Sequence, residues 1–339
     1  MERLRGEAVI EAAGVDTWSV CWYLGEGSSA HRAIDALATK PGPRSKMLEE
    51  KVAGHVVGWF PGSRLLFAEG HPSTQELCKA DALPGALDYL KEDLADLGIL
   101  PPAADVRSVW SPGGFRLPDG GTGFGGIRRL DTTVDMSFDH PGEGLAALAG
   151  VAALPLPRVK TQVIREVGGR RVETVYLRGS AGRTVLGRWY DKGVEAGDAR
   201  RGCHIRPEDQ RRFAKDARLP VDVVAQPKFL RDTFVKRFEP LWRASKGVKV
   251  GSPSELGERL IELHDEGVLG SREMVTLAGH LLLDSCESLR QPRSTNYRQR
   301  ARCRDLGLVL ADGVSDEVEV DLGDICERAM ESSAWGAEG

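Results

Sequence analysis

The chain has 339 residues, 41% of them hydrophobic and 28% charged, and a formal net charge of −4. That length exceeds what one small core usually holds, so two domains are the default, and the apolar share excludes global disorder. No unbroken apolar run is long enough for a bilayer, no apolar segment follows the charged Met1–Glu7, and the six cysteines contain no Cys-x-x-Cys pair, so a soluble cytoplasmic protein with reduced thiols and no membrane partner is expected.

In chain order, residues 15–24 are rich in β-formers and predict a first strand, and 30–39 have helical spacing. Residues 55–59 and 64–69 flank Pro61-Gly62 and predict a hairpin. Leu87, Leu90, Leu94 and Leu97 are spaced for one helix face. The Gly-Thr-Gly-Phe-Gly-Gly at 121–126 matches a dinucleotide-binding pattern formally. It follows a loop and precedes strand-like residues 127–138, whereas that site needs a strand before it and a helix after, so the match is rejected. A small-residue helix is expected over 142–153, and strands over 171–178 and 183–191 form a second hairpin. Helical spacing then dominates from Pro207 to Ser245. Residues 246–254 read as a linker with Ser252 or Ser254 as helix N-cap, before a helical unit over 255–310.

Charge is unevenly distributed. From Ala311 onward there are nine acids against one base, a balance of −8 that leaves +4 on the first 310 residues. Residues 158–249 hold 23 Lys/Arg against 11 Asp/Glu, and 290–304 hold six arginines and no acid. Clustered positive charge displaces counterions from phosphate whatever the net charge, so nucleic acid stays in play beside ordinary solvated faces.

Several residues carry chemistry. Asp131 and Asp135 share a strand face about 13 Å apart along an extended chain, too far to ligate one metal together unless the strand bends. Asp131 is then a candidate ligand and Asp135 a support for it or a partner of an arginine. Tyr190 ends a strand before Asp191, Lys192 and Gly193, and a nucleophilic phenol needs a cation or base beside it; packing is the ordinary role of such a tyrosine. Lys192 shares its face if the strand stays regular. Arg206 and Glu208 pair on one face if extended; if Pro207 opens a helix, Glu208 lies in its first turn.

These fragments occur in a recognisable order: Arg-Arg-Leu-Asp-Thr-Thr-Val-Asp (128–135), Glu-Thr-Val-Tyr-Leu (173–177), Arg-Trp-Tyr-Asp-Lys-Gly-Val-Glu (188–195) and Ile-Arg-Pro-Glu-Asp-Gln-Arg-Arg-Phe (205–213). The order resembles the replication initiation factor family of rolling-circle replication initiators from plasmids and phages, with related conjugative relaxases, over roughly residues 50–215. Arg178 stands where that family often has glycine, Pro207 sits inside the Arg-x-Glu piece, and no His-x-His pair exists. The resemblance implies an α+β nuclease domain on an antiparallel sheet that nicks and rejoins origin DNA. In that reading Tyr190 attacks a DNA phosphate, with Tyr176 as the alternative nucleophile. Asp131 and Glu208, supported by Asp135, hold Mg²⁺ or Mn²⁺, and Lys192 and Arg206 stabilise the transition-state charge. It further implies duplex and single-stranded origin DNA, a host helicase and a homodimer as partners. The rival readings are a relaxase with the same chemistry and a DNA-binding regulator without catalysis.

Residues 294–308 resemble the recognition helix of a winged helix-turn-helix closed by Gly307, with a plain helical bundle as the alternative. Arg211, Arg212, Lys215, Arg298, Arg300 and Arg302 are the expected DNA contacts. The expected organisation is a nicking domain (1–245), a linker (246–254), a smaller, mainly helical DNA-binding domain (255–310) and an acidic tail (311–339).

Overall fold

A computed structural model describes residues 4–5, 7–23, 40–41, 46–52, 55–60, 65–70, 77–96, 115–116, 122–167, 169, 171–182, 184–197, 201–213, 219, 221–285, 293–310 and 318–336. The expected helix over 30–39, Leu97 and the turn at Pro61-Gly62 lie outside them. The chain begins with strands β1 (Leu4–Arg5), β2 (Val9–Tyr23), β3 (Lys40–Pro41), β4 (Lys46–Val52), β5 (His55–Phe60) and β6 (Leu65–Gly70). Helix α1 (Leu83–Asp96), β7 (Phe115–Arg116), β8 (Thr122–Ser137) and α2 (Pro141–Ala153) follow. Next come β9 (Val159–Arg165), β10 (Val172–Gly179), β11 (Val185–Asp191), α3 (Lys192–Ala196), β12 (His204–Arg212), α4 (Val221–Val224) and α5 (Pro227–Ser245). The last part holds β13 (Lys249–Gly251), α6 (Pro253–Asp265), α7 (Ser271–Ser285), α8 (Arg293–Asp305), β14 (Leu308–Leu310), β15 (Val318–Asp321) and α9 (Leu322–Glu331). The architecture is α+β, with antiparallel strand pairing, helices and a small mixed sheet.

The chain folds as two compact units. The first comprises Met1–Ala12, Val134–Glu208 and Val235–Ala334; the second comprises Ala13–Thr133, Asp209–Phe234 and Trp335–Gly339. In the second unit the strand order is β3-β4-β5-β6-β2-β8. The hairpin expected around Pro61-Gly62 is present as antiparallel β5 and β6, with Val57 opposite Ala68. Strand β8 takes in the glycines from Gly123 to Gly126, so no helix N-terminus follows them.

In the first unit the order is β8-β12-β11-β10-β9. The hairpin of β10 and β11 is antiparallel, with Thr174 opposite Tyr190 and Tyr176 opposite Arg188. Side chains alternate along a strand, so Arg188 and Tyr190 share one face while Trp189 points to the other. Trp189 meets Phe238 of α5 edge to face, with ring centroids 6.1 Å apart. Helix α2 packs against β10 and β11, and also against β13, β14 and β15. Its alanines and glycines follow from that double packing, because a helix covered on two sides has no polar face. Residues 142–151 are all buried.

Three expectations change here. Residues 207–212, read as the start of a helical stretch, continue β12. The stretch read as a linker contains β13, which sits between β15 and β14 in a sheet of order β1-β15-β13-β14, with Val250 fully buried. Three residues are too few for alternation to register against a Gly/Ser/Lys background. The stretch read as an acidic tail contains β15 and α9; Ile325, Cys326, Ala329 and Met330 are buried while Asp324 and Glu327 are exposed. Summed charge hid an amphipathic period of 3.6.

The helical unit expected over 255–310 is built on Leu256, Leu260, Leu263, Leu269, Leu277, Leu281, Cys303 and Leu308. Ser252 caps α6 by accepting from Glu255 N at 3.4 Å. Gly307, at φ 72°, closes α8 in the left-handed conformation. Truncating Leu256 to alanine in this core costs about 2–5 kcal/mol.

Candidate functional site

One face of the first unit's sheet gathers most of the expected site. From β11 come Arg188 and Tyr190, from β12 His204, Arg206 and Glu208, and from β8 Asp135. Gly187 makes the approach of β11 to β12 possible, since a Cβ there would meet the Glu208 carbonyl oxygen at 2.7 Å. Arg188 then donates from Nε at 3.0 Å and from Nη2 at 2.8 Å to Glu208 Oε2. Its Cζ lies 4.2 Å over the Tyr190 ring centroid. Arg206 donates to both oxygens of Asp135, with Nη2 2.7 Å from Oδ2. His204 Nε2 is 3.7 Å from Asp135 Oδ1. Asp135, Tyr190, Arg206 and Glu208 are all at most 3% exposed.

Ion pairing dominates the electrostatics. Burial alone lowers the Arg188 pKa, but the charge and hydrogen bond of Glu208, with smaller contributions from Tyr190 and Glu195, raise it overall. Arg188 therefore stays a cation over the tyrosine ring. Asp191, on the opposite face, caps α3 by accepting from Gly193 N at 2.9 Å and also accepts from Gly202 N at 2.7 Å. Burial raises its pKa despite those bonds and the nearby charge of Arg201.

Lys192 leaves the strand and opens α3; its Nζ is 5.8 Å from the Tyr190 ring centroid and pairs with Glu195 at 2.5 Å. Tyr176 is half-buried on β10 with Arg178 Cζ 5.6 Å over its ring. Glu173 of the same strand pairs with Arg201.

Asp131 belongs to the second unit. Arg129 donates to both its oxygens, from Nε at 3.0 Å to Oδ1 and from Nη2 to Oδ2, and reaches Glu69 at 3.0 Å. In the same unit Arg211 lies 3.4 Å from Asp209 and 3.3 Å from the Thr233 carbonyl, and Arg212 is exposed. Lys215 lies outside the described residues. The three carboxylates expected to hold a divalent cation, Asp131, Asp135 and Glu208, are thus each engaged by a guanidinium. Among the described residues no three His, Cys, Asp or Glu side chains converge as a metal-binding group. As arranged, the three do not make a cation site, although their oxygens suit Mg²⁺ or Mn²⁺ chemically.

On α8, Arg298 and Arg300 are exposed, whereas Arg302 pairs with Glu273 of α7 at 2.6 Å. Sequence reasoning assigned no role to Arg188. Its signal was available, because it stands two residues before Tyr190 and so on the same strand face. Asp191 had no such signal, since its bond to Gly202 N spans a loop. Among the described residues no helix is long and apolar enough to cross a membrane, and no disulfide joins Cys21, Cys78, Cys203, Cys303 and Cys326 to one another.

No family model and no curated protein matches this chain. Among solved structures, a rolling circle replication initiator protein from Geobacillus stearothermophilus is similar at 13% identity over 70% of this chain and 85% of its own, with a TM-score of 0.32. A heterotetrameric sarcosine oxidase from Corynebacterium sp. U-96, in complex with pyrrole 2-carboxylate, is similar at 13% identity over 68% of this chain and 85% of its own, with a TM-score of 0.19. At these TM-scores neither likeness assigns a fold or an activity to this chain.

Proposed function

We propose that this chain initiates rolling-circle replication by nicking and rejoining origin DNA through Tyr190. The single observation that carries the reading is the Arg188 guanidinium held between the Tyr190 ring and the Glu208 carboxylate. It links the third and fourth of the motif fragments, 188–195 and 205–213, and the order of all four resembles the replication initiation factor family. In the reaction the Tyr190 oxygen attacks the scissile phosphorus and loses its proton to water. The bond from phosphorus to the 3′-oxygen breaks, and that oxygen takes up a proton. A 5′-phosphotyrosine and a primer 3′-hydroxyl result; the reverse attack rejoins the strand. Arg188, fixed as a cation, offsets negative charge as it develops on the phenol oxygen. Arg206 and Lys192 serve the phosphate only after turning from Asp135 and Glu195.

A divalent cation, a host helicase and a second copy of the chain enter this proposal through the resemblance alone. A relaxase would use the same chemistry on a transfer origin. The reading of a DNA-binding regulator without catalysis is favoured by one fact: Tyr190 is only 3% exposed, so a phosphate reaches it only after its surroundings move. Incubating the full chain with supercoiled origin-bearing DNA and Mg²⁺, then probing for a covalent protein–DNA adduct, separates enzyme from binder.

A further inference from the structure

The sheet face that carries Arg188 and Tyr190 continues outward over β10 and β9. The strand register sets Thr174 beside Tyr190 and Tyr176 beside Arg188. One strand further out it sets Ile164 beside Thr174, Gln162 beside Tyr176 and Lys160 beside Arg178. Burial alternates along β10: Val175 and Leu177 are buried, whereas Thr174, Tyr176 and Arg178 on this face are half-buried. On β9, which ends the strand order, Lys160, Gln162 and Ile164 are exposed, Ile164 at 41%. None of these six side chains is acidic. Among the described residues Arg178 donates only to neutral oxygens, Gln162 Oε1 at 2.6 Å and the Gly182 carbonyl at 3.4 Å, and Lys160 makes no ion pair. Arg178 also holds its Cζ 5.6 Å over the Tyr176 ring centroid. Two positive charges and an aromatic ring thus stand on an open face with no carboxylate to offset them.

Proteins hold single-stranded nucleic acid with this combination: cations track the phosphates, and unstacked bases lie on aromatic rings and guanidinium planes. A duplex keeps its base faces inside the stack, so a ring on an open sheet face suits a single strand. Neighbouring strands lie about 4.8 Å apart, which puts Ile164, two strands from Tyr190, about 10 Å from it. We propose that this face of β9 and β10 is a platform for single-stranded DNA that leads the strand to Tyr190. A base stacks on Tyr176, Lys160 and Arg178 meet phosphates, and Ile164 gives apolar contact to a neighbouring base. Tyr176, the alternative nucleophile by resemblance, here has a binding role. The direction of the strand rests on the nicking reading, whereas binding to the face does not.

The test measures binding of a labelled oligothymidine of about 12 nucleotides to the full chain by fluorescence anisotropy, without divalent cations. Saturable binding is expected. Tyr176→Leu is expected to weaken it about tenfold, and Tyr176→Phe, which keeps the ring, to leave it within about twofold of the parent. Lys160→Gln with Arg178→Gln, which removes charge at exposed and half-buried positions without adding bulk, is expected to weaken binding about tenfold. It is also expected to flatten the slope of log K against log salt by up to about 1.4, at about 0.7 for each phosphate contact on a single strand. A parent chain that does not bind the oligothymidine overturns the proposal, as do Tyr176→Leu and Lys160→Gln/Arg178→Gln chains that bind it as the parent does. Tyr176→Phe binding as weakly as Tyr176→Leu would assign the loss to the hydroxyl and overturn the stacking role. An equal loss of duplex binding in these variants would make the face a duplex surface, which also overturns it. The covalent adduct is scored separately. Unchanged binding in the variants beside an adduct in the parent removes the platform alone, and lost binding in the variants with no adduct in the parent removes the nicking reading alone.

Discussion

The guanidinium of Arg188 lies over the ring of Tyr190, Cζ to centroid 4.2 Å, and donates at 2.8 Å to Glu208 on the neighbouring strand. Glu208 is fully buried, so Arg188 is both the companion of the tyrosine and the counter-charge of that carboxylate. Removing one member of a buried pair strands the other, whereas removing both need not. Arg188→Met is expected to cost about 3 kcal/mol in urea denaturation, and Arg188→Met with Glu208→Leu to recover most of that loss. Equal instability of the single and double variants would show that the pair is not what holds β11 to β12.

A second prediction concerns pH. Glu143 Oε2 accepts from His140 N at 3.2 Å at the start of α2, and burial is the main cause of its raised pKa. The native state then binds the proton more tightly than the unfolded chain, where Glu titrates near 4.3. Its contribution is complete below that value and is lost as pH rises through the raised native value. Glu143→Gln keeps an acceptor for His140 N and removes the charge. The variant is expected to lose less stability than the parent as pH rises above about 4, read as the urea midpoint at each pH; parallel curves would contradict it.

The legible parts of the fold were those with a strong period or a turn signal. The strands around Tyr190, the hairpin of β10 and β11, and small-residue α2 follow from alternation, glycine placement and composition. Strand β12 was hidden because Pro207 and the residues after it resemble a helix start, although the Arg206 and Glu208 side chains obey strand alternation. Strand β13 and helix α9 were hidden by polar surroundings, since three residues carry little pattern and nine acids in one stretch mask an apolar face. At the site, the sequence marked Asp135, Tyr190, Arg206 and Glu208. It did not show that guanidinium groups occupy the carboxylates, because Arg206 meets Asp135 across 71 positions and only the strand order brings them together.

That occupancy leads to a third prediction. Asp131, Asp135 and Glu208 each hold an arginine, so millimolar Mg²⁺ is expected to leave the thermal midpoint of the DNA-free chain unchanged. A clear, saturable rise that disappears in Asp135→Asn would show a preformed cation site.

A fourth prediction concerns α8. Arg298 and Arg300 are exposed on it, and each phosphate contact contributes about −0.9 to the slope of log K against log salt on duplex DNA. Arg298→Ala with Arg300→Ala is expected to flatten that slope by up to about 2 and to weaken origin binding, with nicking of a short single strand less affected. Unchanged affinity and slope would remove α8 from DNA recognition.

The central claim is that Tyr190 is a nucleophile rather than a packed ring, and the covalent adduct tests it most directly. The parent chain, incubated with supercoiled origin DNA and Mg²⁺ and then denatured, is expected to retain labelled DNA through a 5′-phosphotyrosine. Tyr190→Phe, which keeps the ring beneath Arg188, is expected to retain none while still binding the origin. An adduct that persists in Tyr190→Phe would contradict the assignment and move the chemistry to Tyr176 or elsewhere, and a parent chain that binds the origin without any adduct would leave a DNA-binding regulator.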